Sequence, residues 1–178
     1  SGPAGLSCSY YLNRFGYQVD VFEREDRLGG LLMYGIPNMK LDKEVVNRRI
    51  GLLEDEGVRF FTESDICLNE SLRNKVLEEY DAIVLATGAT KPRDLNVPGR
   101  KLKGIHFAVD YLKENTRNLL NDGLNENYIS CKDKNVLIIG GGDTGTDCVA
   151  TSIRQGCKSV IQLEITNPLP NERLDNNP

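Results

Sequence analysis

The fold is decided by the stretch Asn135-Val136-Leu137-Ile138-Ile139-Gly140-Gly141-Gly142-Asp143-Thr144-Gly145. An apolar strand, predicted to be buried, runs into a glycine-rich turn, then a helix predicted over 143–154 and a strand over 159–164. The glycines at 140, 142 and 145 have the spacing G-x-G-x-x-G. In that pattern the glycines permit a tight turn, close approach of a pyrophosphate and close helix–strand packing, while the helix N-terminus offers N–H groups. The stretch therefore predicts dinucleotide binding.

Two acidic residues each end a predicted strand. Their separation in sequence from the preceding glycine loop is typical of a carboxylate that binds a ribose. Glu164 follows Gly145 by 19 residues. At the other end of the chain, Ser1-Gly2-Pro3-Ala4-Gly5 matches the tail of the same glycine pattern without its first glycine and preceding strand, and Glu23 follows Gly5 by 18 residues. A carboxylate at this place accepts hydrogen bonds from ribose hydroxyls. We therefore expect two nucleotide sites, in a segment of a longer polypeptide.

Hydrophobic periodicity and turn residues predict the remaining elements. Helices are expected at 3–15, 42–56, 70–79 and 107–120, and strands at 17–23, 58–62 and 81–86. Strands that alternate with helices predict an α/β fold with two Rossmann-like dinucleotide-binding domains, parallel sheets flanked by helices, both incomplete in this segment. The predicted limits are a first dinucleotide-binding domain at 1–92, a Pro- and Gly-containing connector at 93–104 and a second dinucleotide-binding domain at 105–178.

Composition excludes several classes of partner. The 178 residues include 22 Lys+Arg and 26 Asp+Glu, a net charge of −4. Nucleic-acid and anionic-membrane surfaces need clustered basic residues, so neither partner is expected. No apolar run approaches the ~20 residues that span a bilayer. A cytoplasmic location is expected, with an organelle as the alternative, since the scattered cysteines suit a reducing compartment.

No residue stands out as a metal ligand or as a catalytic acid or base. The five cysteines share no C-x-x-C spacing. The single histidine, His106, lies in an apolar stretch and is expected to pack rather than react. Beyond Glu23, the mixed charges up to Arg27 predict a solvated loop. Hydride transfer between nucleotide cofactors needs orientation more than acid–base groups, which fits a nicotinamide in one domain and a flavin in the other.

Two short segments indicate the flavin domain. Gly29-Gly30 follows the first acidic residue, where backbone must pass close to a ligand. Thr87-Gly88 closes the apolar strand before the connector, the usual exit from a flavin domain.

Three motifs then resemble one family. They are Gly30–Lys40 (GLLMYGIPNMK), Ala86–Arg93 (ATGATKPR) and Gly140–Cys148 (GGGDTGTDC). Together they resemble the glutamate synthase β-subunit family, or the equivalent C-terminal region of one-chain glutamate synthases, over nearly the whole chain. The resemblance implies that NADH or NADPH reduces FAD here. It also implies that electrons leave through iron–sulfur clusters held outside this segment, in an upstream region. Glutaminase and FMN domains, in the same chain or in an α-subunit, would then form glutamate from glutamine and 2-oxoglutarate.

The resemblance also implies roles for individual residues. Gly2, Pro3, Ala4 and Gly5 match the FAD pyrophosphate loop, and Glu23 matches its ribose ligand. Further FAD contacts match the stretch Glu23–Leu31, which includes Gly29 and Gly30, and also Lys40 and Ile66. The nicotinamide-nucleotide loop matches Gly142, Asp143, Thr144 and Gly145, and Arg173 matches a basic residue near the adenosine ribose.

Several alternatives stay open. Glu164 would repel a 2′-phosphate and favours NADH, whereas Arg173 could pair with that phosphate and favours NADPH. NADH is preferred, because Glu164 closes the strand where the ribose normally lies. The rival functions are a dihydropyrimidine-dehydrogenase-like or ferredoxin-linked NAD(P)H flavoprotein, and a nucleotide-binding module without enzymatic activity.

Overall fold

The computed structural model describes residues 1–123 and 126–165. The chain divides into two compact units, one through Tyr128 and one that begins at Ile129. Each unit contains a strand, a helix and a second strand parallel to the first. This confirms the α/β class with Rossmann-like parallel sheets. The limits of the cofactor domains, 1–92 and 105–178, stay a prediction.

The first unit contains five helices and two strands among its described residues. Strands β1 and β2 pair in parallel, with Val21 opposite Phe60. A short helix after Gly30 was not predicted; the other helices lie within one residue of the expected bounds. The elements are α1 (Pro3–Arg14), β1 (Asp20–Phe22), α2 (Leu31–Tyr34), α3 (Lys43–Asp55), β2 (Arg59–Phe61), α4 (Glu70–Glu79) and α5 (Ala108–Leu120).

Local chemistry explains the ends of these helices. The side chain of Asp42 accepts a hydrogen bond from the Glu44 amide (3.0 Å) and caps the start of α3. Asn69 caps α4 in the same way, through the Leu72 amide (3.0 Å). Gly57, with φ +103°, follows α3 in a conformation that few other residues adopt. These signals are contained within a few residues, so the sequence predicts them well.

The core of the first unit lies between α1, α2 and α3. Leu53 is fully buried, and Met33 and Val58 are 2% exposed. The cluster also contains Leu6, Tyr34, Val46 and Ile50. Because α2 contributes two of its residues, the segment after Gly30 is anchored by hydrophobic burial as well as by hydrogen bonds.

The predicted strand at 81–86 is wrong. The structure assigns no strand there, and Ile83, Val84 and Leu85 are 45%, 58% and 84% exposed. A strand needs a neighbour to satisfy its backbone groups. Among the described residues, β1 and β2 form the only sheet of this unit. The apolar run therefore has the composition of a buried strand but no neighbouring strand to pair with.

The second unit contains β3 (Asn135–Ile139), α6 (Asp143–Arg154) and β4 (Ser159–Leu163). The two strands are parallel, with Leu137 opposite Ile161. The bounds of β3 and α6 are those predicted. The expected burial of β3 is wrong, since Leu137 and Ile139 are 57% and 66% exposed. The reason is that α6 covers one face of the sheet, while these side chains alternate onto the other.

Two smaller observations concern the surface. His106 is exposed, so the expected packing role is wrong; its apolar neighbours are in a loop rather than in the core. None of the described helices is both long and apolar enough to cross a bilayer.

Lys43 is a buried cation at the start of α3. It is 3% exposed, and its Nζ donates to the carbonyl oxygens of Leu32 (3.0 Å), Ile36 (2.5 Å) and Leu41 (3.2 Å). Burial lowers the pKa of this ammonium group, partly opposed by the charge of Asp42. The three donated bonds tie the whole segment from α2 to α3 to one side chain.

Replacing Lys43 with Met keeps the volume but removes the donors from three carbonyls. Leaving buried acceptors without partners costs about 1–3 kcal/mol. We expect amide hydrogens of 31–41 in the full-length protein to exchange at least about tenfold faster, as measured by mass spectrometry. Lys75→Met, on the exposed face of α4, is the matched control and should leave exchange unchanged. If the amides of 31–41 in Lys43→Met exchanged as slowly as in the wild-type protein, this role of Lys43 would be contradicted.

Candidate functional site

The first candidate phosphate loop lies at the N-terminus of α1. Gly2 is the N-cap residue, with φ −66° and ψ −179°, and Pro3 begins the helix. No side chain among the described residues caps this terminus. A Cβ at Gly2 would meet no atom within 4 Å. The start of α1 therefore has free N–H groups and, beside Gly2, space that an anionic group could occupy.

The Gly29-Gly30 pair lies directly against this loop. Gly29 and Gly30 have φ of +113° and +54°. A Cβ at Gly30 would lie 2.9 Å from the Cα of Gly2, closer than side chains come to backbone. The Gly29 amide donates to the Ser1 hydroxyl (2.9 Å). Both glycines are therefore required by the backbone, whereas close passage of this segment to a ligand stays a prediction.

Glu23 lies at the end of β1, beside the same loop. It is 8% exposed, and its carboxylate accepts hydrogen bonds from the Ser1 hydroxyl (2.6 Å) and the Glu25 amide (3.0 Å). Burial alone would raise its pKa, but these hydrogen bonds, together with a hydrogen bond from the Ser1 amino group (3.0 Å) and the charge of that group, hold the pKa of Glu23 below its usual value. The group is therefore an ionised acceptor, the form that binds ribose hydroxyls.

The structure brings together part of the predicted FAD set. Gly2, Glu23, Gly29 and Gly30 meet around Ser1. Gly5 faces Ala86, whose Cβ would lie 3.5 Å from a Cβ at Gly5. The remaining predicted residues lie elsewhere in this unit: Pro3 and Ala4 in the first turn of α1, Leu31 in α2, Lys40 after Pro37, Ile66 between β2 and α4, and Thr87 and Gly88 before the connector.

The second loop, in the other unit, has the backbone geometry of two predicted glycine roles, the tight turn and the close helix–strand packing; the approach of a pyrophosphate at Gly142 stays a prediction. Gly140 has φ +117°, which a tight turn after β3 requires. A Cβ at Gly145 would overlap the Gly140 carbonyl oxygen, so the helix can lie this close to the strand only with glycine there. Gly142 is the N-cap of α6, and a Cβ on it would meet no atom of the described residues within 4 Å.

Glu164 follows β4 and lies beside this loop. A Cβ at Gly141 would overlap the Glu164 carboxylate, so the acidic side chain rests on the glycine backbone. The other carboxylate oxygen accepts from the Ile165 amide (2.7 Å). Asp143 and Thr144 are exposed in the first turn of α6. Arg173, the predicted partner of a 2′-phosphate, lies outside the described residues.

The expected solvated loop after Glu23 is only partly confirmed, since Arg24 and Asp26 are exposed but Glu25 is half-buried and paired. The side chain of Glu25 is 18% exposed and accepts from Lys113 Nζ and Arg117 Nη2, both at 2.6 Å. Both cations lie on α5, about 90 residues away in sequence. A local pattern of mixed charge cannot reveal such distant partners. The spacing of Lys113 and Arg117 by one helical turn is the signal that could have indicated a shared acidic partner.

Tyr34 connects the same loop to α2. Its hydroxyl donates to Asp26 (2.7 Å) and accepts from Arg27 (2.9 Å). Burial and the bond to Asp26 raise the pKa of Tyr34. Burial alone would raise the pKa of Asp26, but the hydrogen bond from Tyr34 and the charge of Arg27 outweigh it and lower the pKa of that carboxyl. Tyr34 thus stays a protonated donor and Asp26 an ionised acceptor.

Two cavities are formed by residues of the first unit. One, of about 310 Å³, is bounded by Asp26, Arg27 and Leu28 from the predicted FAD stretch and by Lys43 from α3. The other, of about 590 Å³, is formed by residues 94–102 of the connector and contains none of the predicted site residues. All five cysteines are free thiols. Among residues 1–123 and 126–165, no group of His, Cys, Asp and Glu could hold a metal ion.

Comparison with known proteins agrees with this architecture. Residues 1–176 match the family described as pyridine nucleotide-disulphide oxidoreductase. The solved structure of Mycobacterium tuberculosis FprA in complex with NADPH superposes with a TM-score of 0.70 at 21% identity, covering 91% of this chain and 41% of that one. At this identity the likeness shows the fold alone.

Curated relatives are more similar in sequence. Glutamate synthase [NADH] of Schizosaccharomyces pombe is 54% identical over 100% of this chain and 8% of its own length. The glutamate synthase [NADPH] small chain of Bacillus subtilis is 49% identical over 99% of this chain and 36% of its own length. The chain thus spans about a third or less of these relatives. The resemblance seen in the three sequence motifs is confirmed, and the chain belongs to the pyridine nucleotide-disulphide oxidoreductase family.

Proposed function

We propose that this chain is the electron-entry module of a glutamate synthase, in which NAD(P)H reduces FAD. The observation that carries the proposal is that both units present the same arrangement. In each, a glycine loop leads into a helix whose N-terminus no side chain of the described residues caps, with a glutamate at the end of a parallel strand beside it. The high identity to glutamate synthases supports the choice among oxidoreductases.

The first unit fits FAD. Open space at Gly2 and the amides at the start of α1 suit a pyrophosphate, and the ionised Glu23 suits a ribose. Glu23 accepts a hydrogen bond from the Ser1 hydroxyl. A ribose hydroxyl would add to or replace that bond. The close contact of Gly30 with Gly2 gives the loop a defined shape before any nucleotide binds.

The second unit fits a nicotinamide dinucleotide. Gly142 leaves room for the pyrophosphate at the start of α6, and Glu164 lies beside the loop where an adenosine ribose would be expected. A 2′-phosphate there would meet a like charge, so we propose NADH as the preferred donor. The relatives named above include both NADH and NADPH forms, and the charge of Glu164 is what favours NADH here.

The residues of this chain orient the nucleotides and supply no acid–base step. FAD, when bound, accepts the hydride and passes electrons on one at a time. We propose that iron–sulfur clusters in an upstream region carry these electrons. Glutaminase and FMN domains, on the same chain or an α-subunit, would use them to make glutamate from glutamine and 2-oxoglutarate. A cytoplasmic location is part of this proposal.

The test is NADH oxidation by the full-length protein with glutamine and 2-oxoglutarate together, and then with each omitted. Oxidation that requires both substrates, with about two glutamates formed per NADH, is the expected result. Flavin reduction by NADH that neither substrate affects would retain the reductase and overturn its assignment to glutamate synthase. A full-length protein without flavin would overturn the reductase as well.

Replacing Glu164 with Ala should raise the use of NADPH. Removing a like charge beside the 2′-phosphate is worth at least about 1.4 kcal/mol, or about tenfold in kcat/KM for NADPH. The kcat/KM for NADH should fall, because ribose hydrogen bonds are lost. Glu79→Ala, an exposed carboxylate at the end of α4, is the matched control. An unchanged NADH/NADPH ratio in Glu164→Ala would contradict the proposed role.

A further inference from the structure

One helix outside the predicted FAD domain makes charged contacts with the loop that follows Glu23. Helix α5 belongs to the stretch 105–178, predicted as the NAD(P)-binding part. Yet Lys113 and Arg117 each donate to a different carboxylate oxygen of Glu25, at 2.6 Å. The three side chains are between 18% and 28% exposed, so solvent screens these pairs less than it screens pairs on an open surface.

Arg117 also contacts the far end of the same segment. Its guanidinium lies over the ring of Tyr34, 5.1 Å from the centroid, and one of its nitrogens is 3.6 Å from Asp26. Arg27, in between, donates to Asn121 just after α5 (2.9 Å). Residues 25–34 are therefore held to α5 at both ends, and Gly29-Gly30 lies within that span.

The span has a mechanical and an electrostatic consequence. Gly30 lies against Gly2, so the position of the span sets the position of the backbone beside the candidate phosphate loop. The span also places the carboxylates of Glu25 and Asp26 in the same short segment as Gly30. An anionic pyrophosphate would be repelled by them if Lys113 and Arg117 did not neutralise their charge.

We infer that Arg117, assisted by Lys113, is a positioning residue for the FAD site. It fixes the loop 25–34 against the phosphate loop and offsets the negative charge beside it. The inference rests on the proposal that the first unit binds FAD. It goes further, because it assigns part of the affinity for FAD to a helix that no glycine motif or strand-end carboxylate marks.

The test measures the FAD dissociation constant of the full-length protein, from the flavin fluorescence released on dilution. Arg117→Gln should raise it about tenfold, whereas Arg117→Lys, which keeps the charge, should raise it less than about threefold. Glu25→Gln breaks the same anchor but also removes one negative charge beside the phosphate loop, so it should weaken FAD binding less than Arg117→Gln does. The double variant should be little worse than Arg117→Gln, since both substitutions break one interaction. KM for NADH should not change, because the Gly140–Gly145 loop is untouched.

The matched control is Lys75→Gln, which breaks an exposed Lys75–Glu79 pair on α4 (3.8 Å) and should leave FAD binding unchanged. A wild-type affinity for FAD in Arg117→Gln would overturn the inference and leave the proposed function intact. Equal loss in Arg117→Lys and Arg117→Gln would also overturn it, since charge would then not be what holds the loop. Absence of FAD from the wild-type protein would overturn the proposed function itself.

Discussion

The backbone of Gly30 lies so close to that of Gly2 that a Cβ on Gly30 would come within 2.9 Å of the Gly2 Cα. This contact joins two parts of the chain that a nucleotide would need together, the start of α1 and the loop after Glu23. It leaves no space for a side chain at Gly30, whose positive φ of +54° already favours glycine. The geometry of the candidate FAD site depends on this backbone contact, and other interactions serve to maintain it.

Three sets of interactions maintain the contact from different directions. Ser1 bridges Glu23 and the Gly29 amide on the side of the phosphate loop. Lys43 donates to three carbonyls and fixes the segment that follows Gly30. Arg117, from α5, holds the segment around Gly30 through Glu25 and Tyr34. Two of the three use a buried or half-buried cation. Removing a cation from water is costly, so these side chains can restrain the loop only because each is well paired.

The sequence predicted those features that depend on neighbouring residues. The bounds of α4, β3 and α6 follow from Asn69, from an apolar run and from Gly142, all within a few residues. The glycine roles at 140 and 145 were equally local. The sequence did not predict that Ile83, Val84 and Leu85 would be exposed, because strand formation depends on a neighbour elsewhere in the chain. It also did not predict the pairing of Glu25 with Lys113 and Arg117, since these contacts join residues 88 and 92 positions apart.

In the proposed function, each of the two units holds one dinucleotide. The decisive experiment uses the full-length Gly145→Ala variant and measures its affinity for NAD⁺ by titration calorimetry, together with its FAD content. A Cβ at Gly145 would overlap the Gly140 carbonyl, while a Cβ at Gly51 of α3 meets nothing within 4 Å, which makes Gly51→Ala the matched control. We expect Gly145→Ala to keep one FAD per chain and to bind NAD⁺ at least about tenfold more weakly, a change of about 1.4 kcal/mol. Unchanged NAD⁺ binding, or loss of FAD together with it, would contradict separate sites.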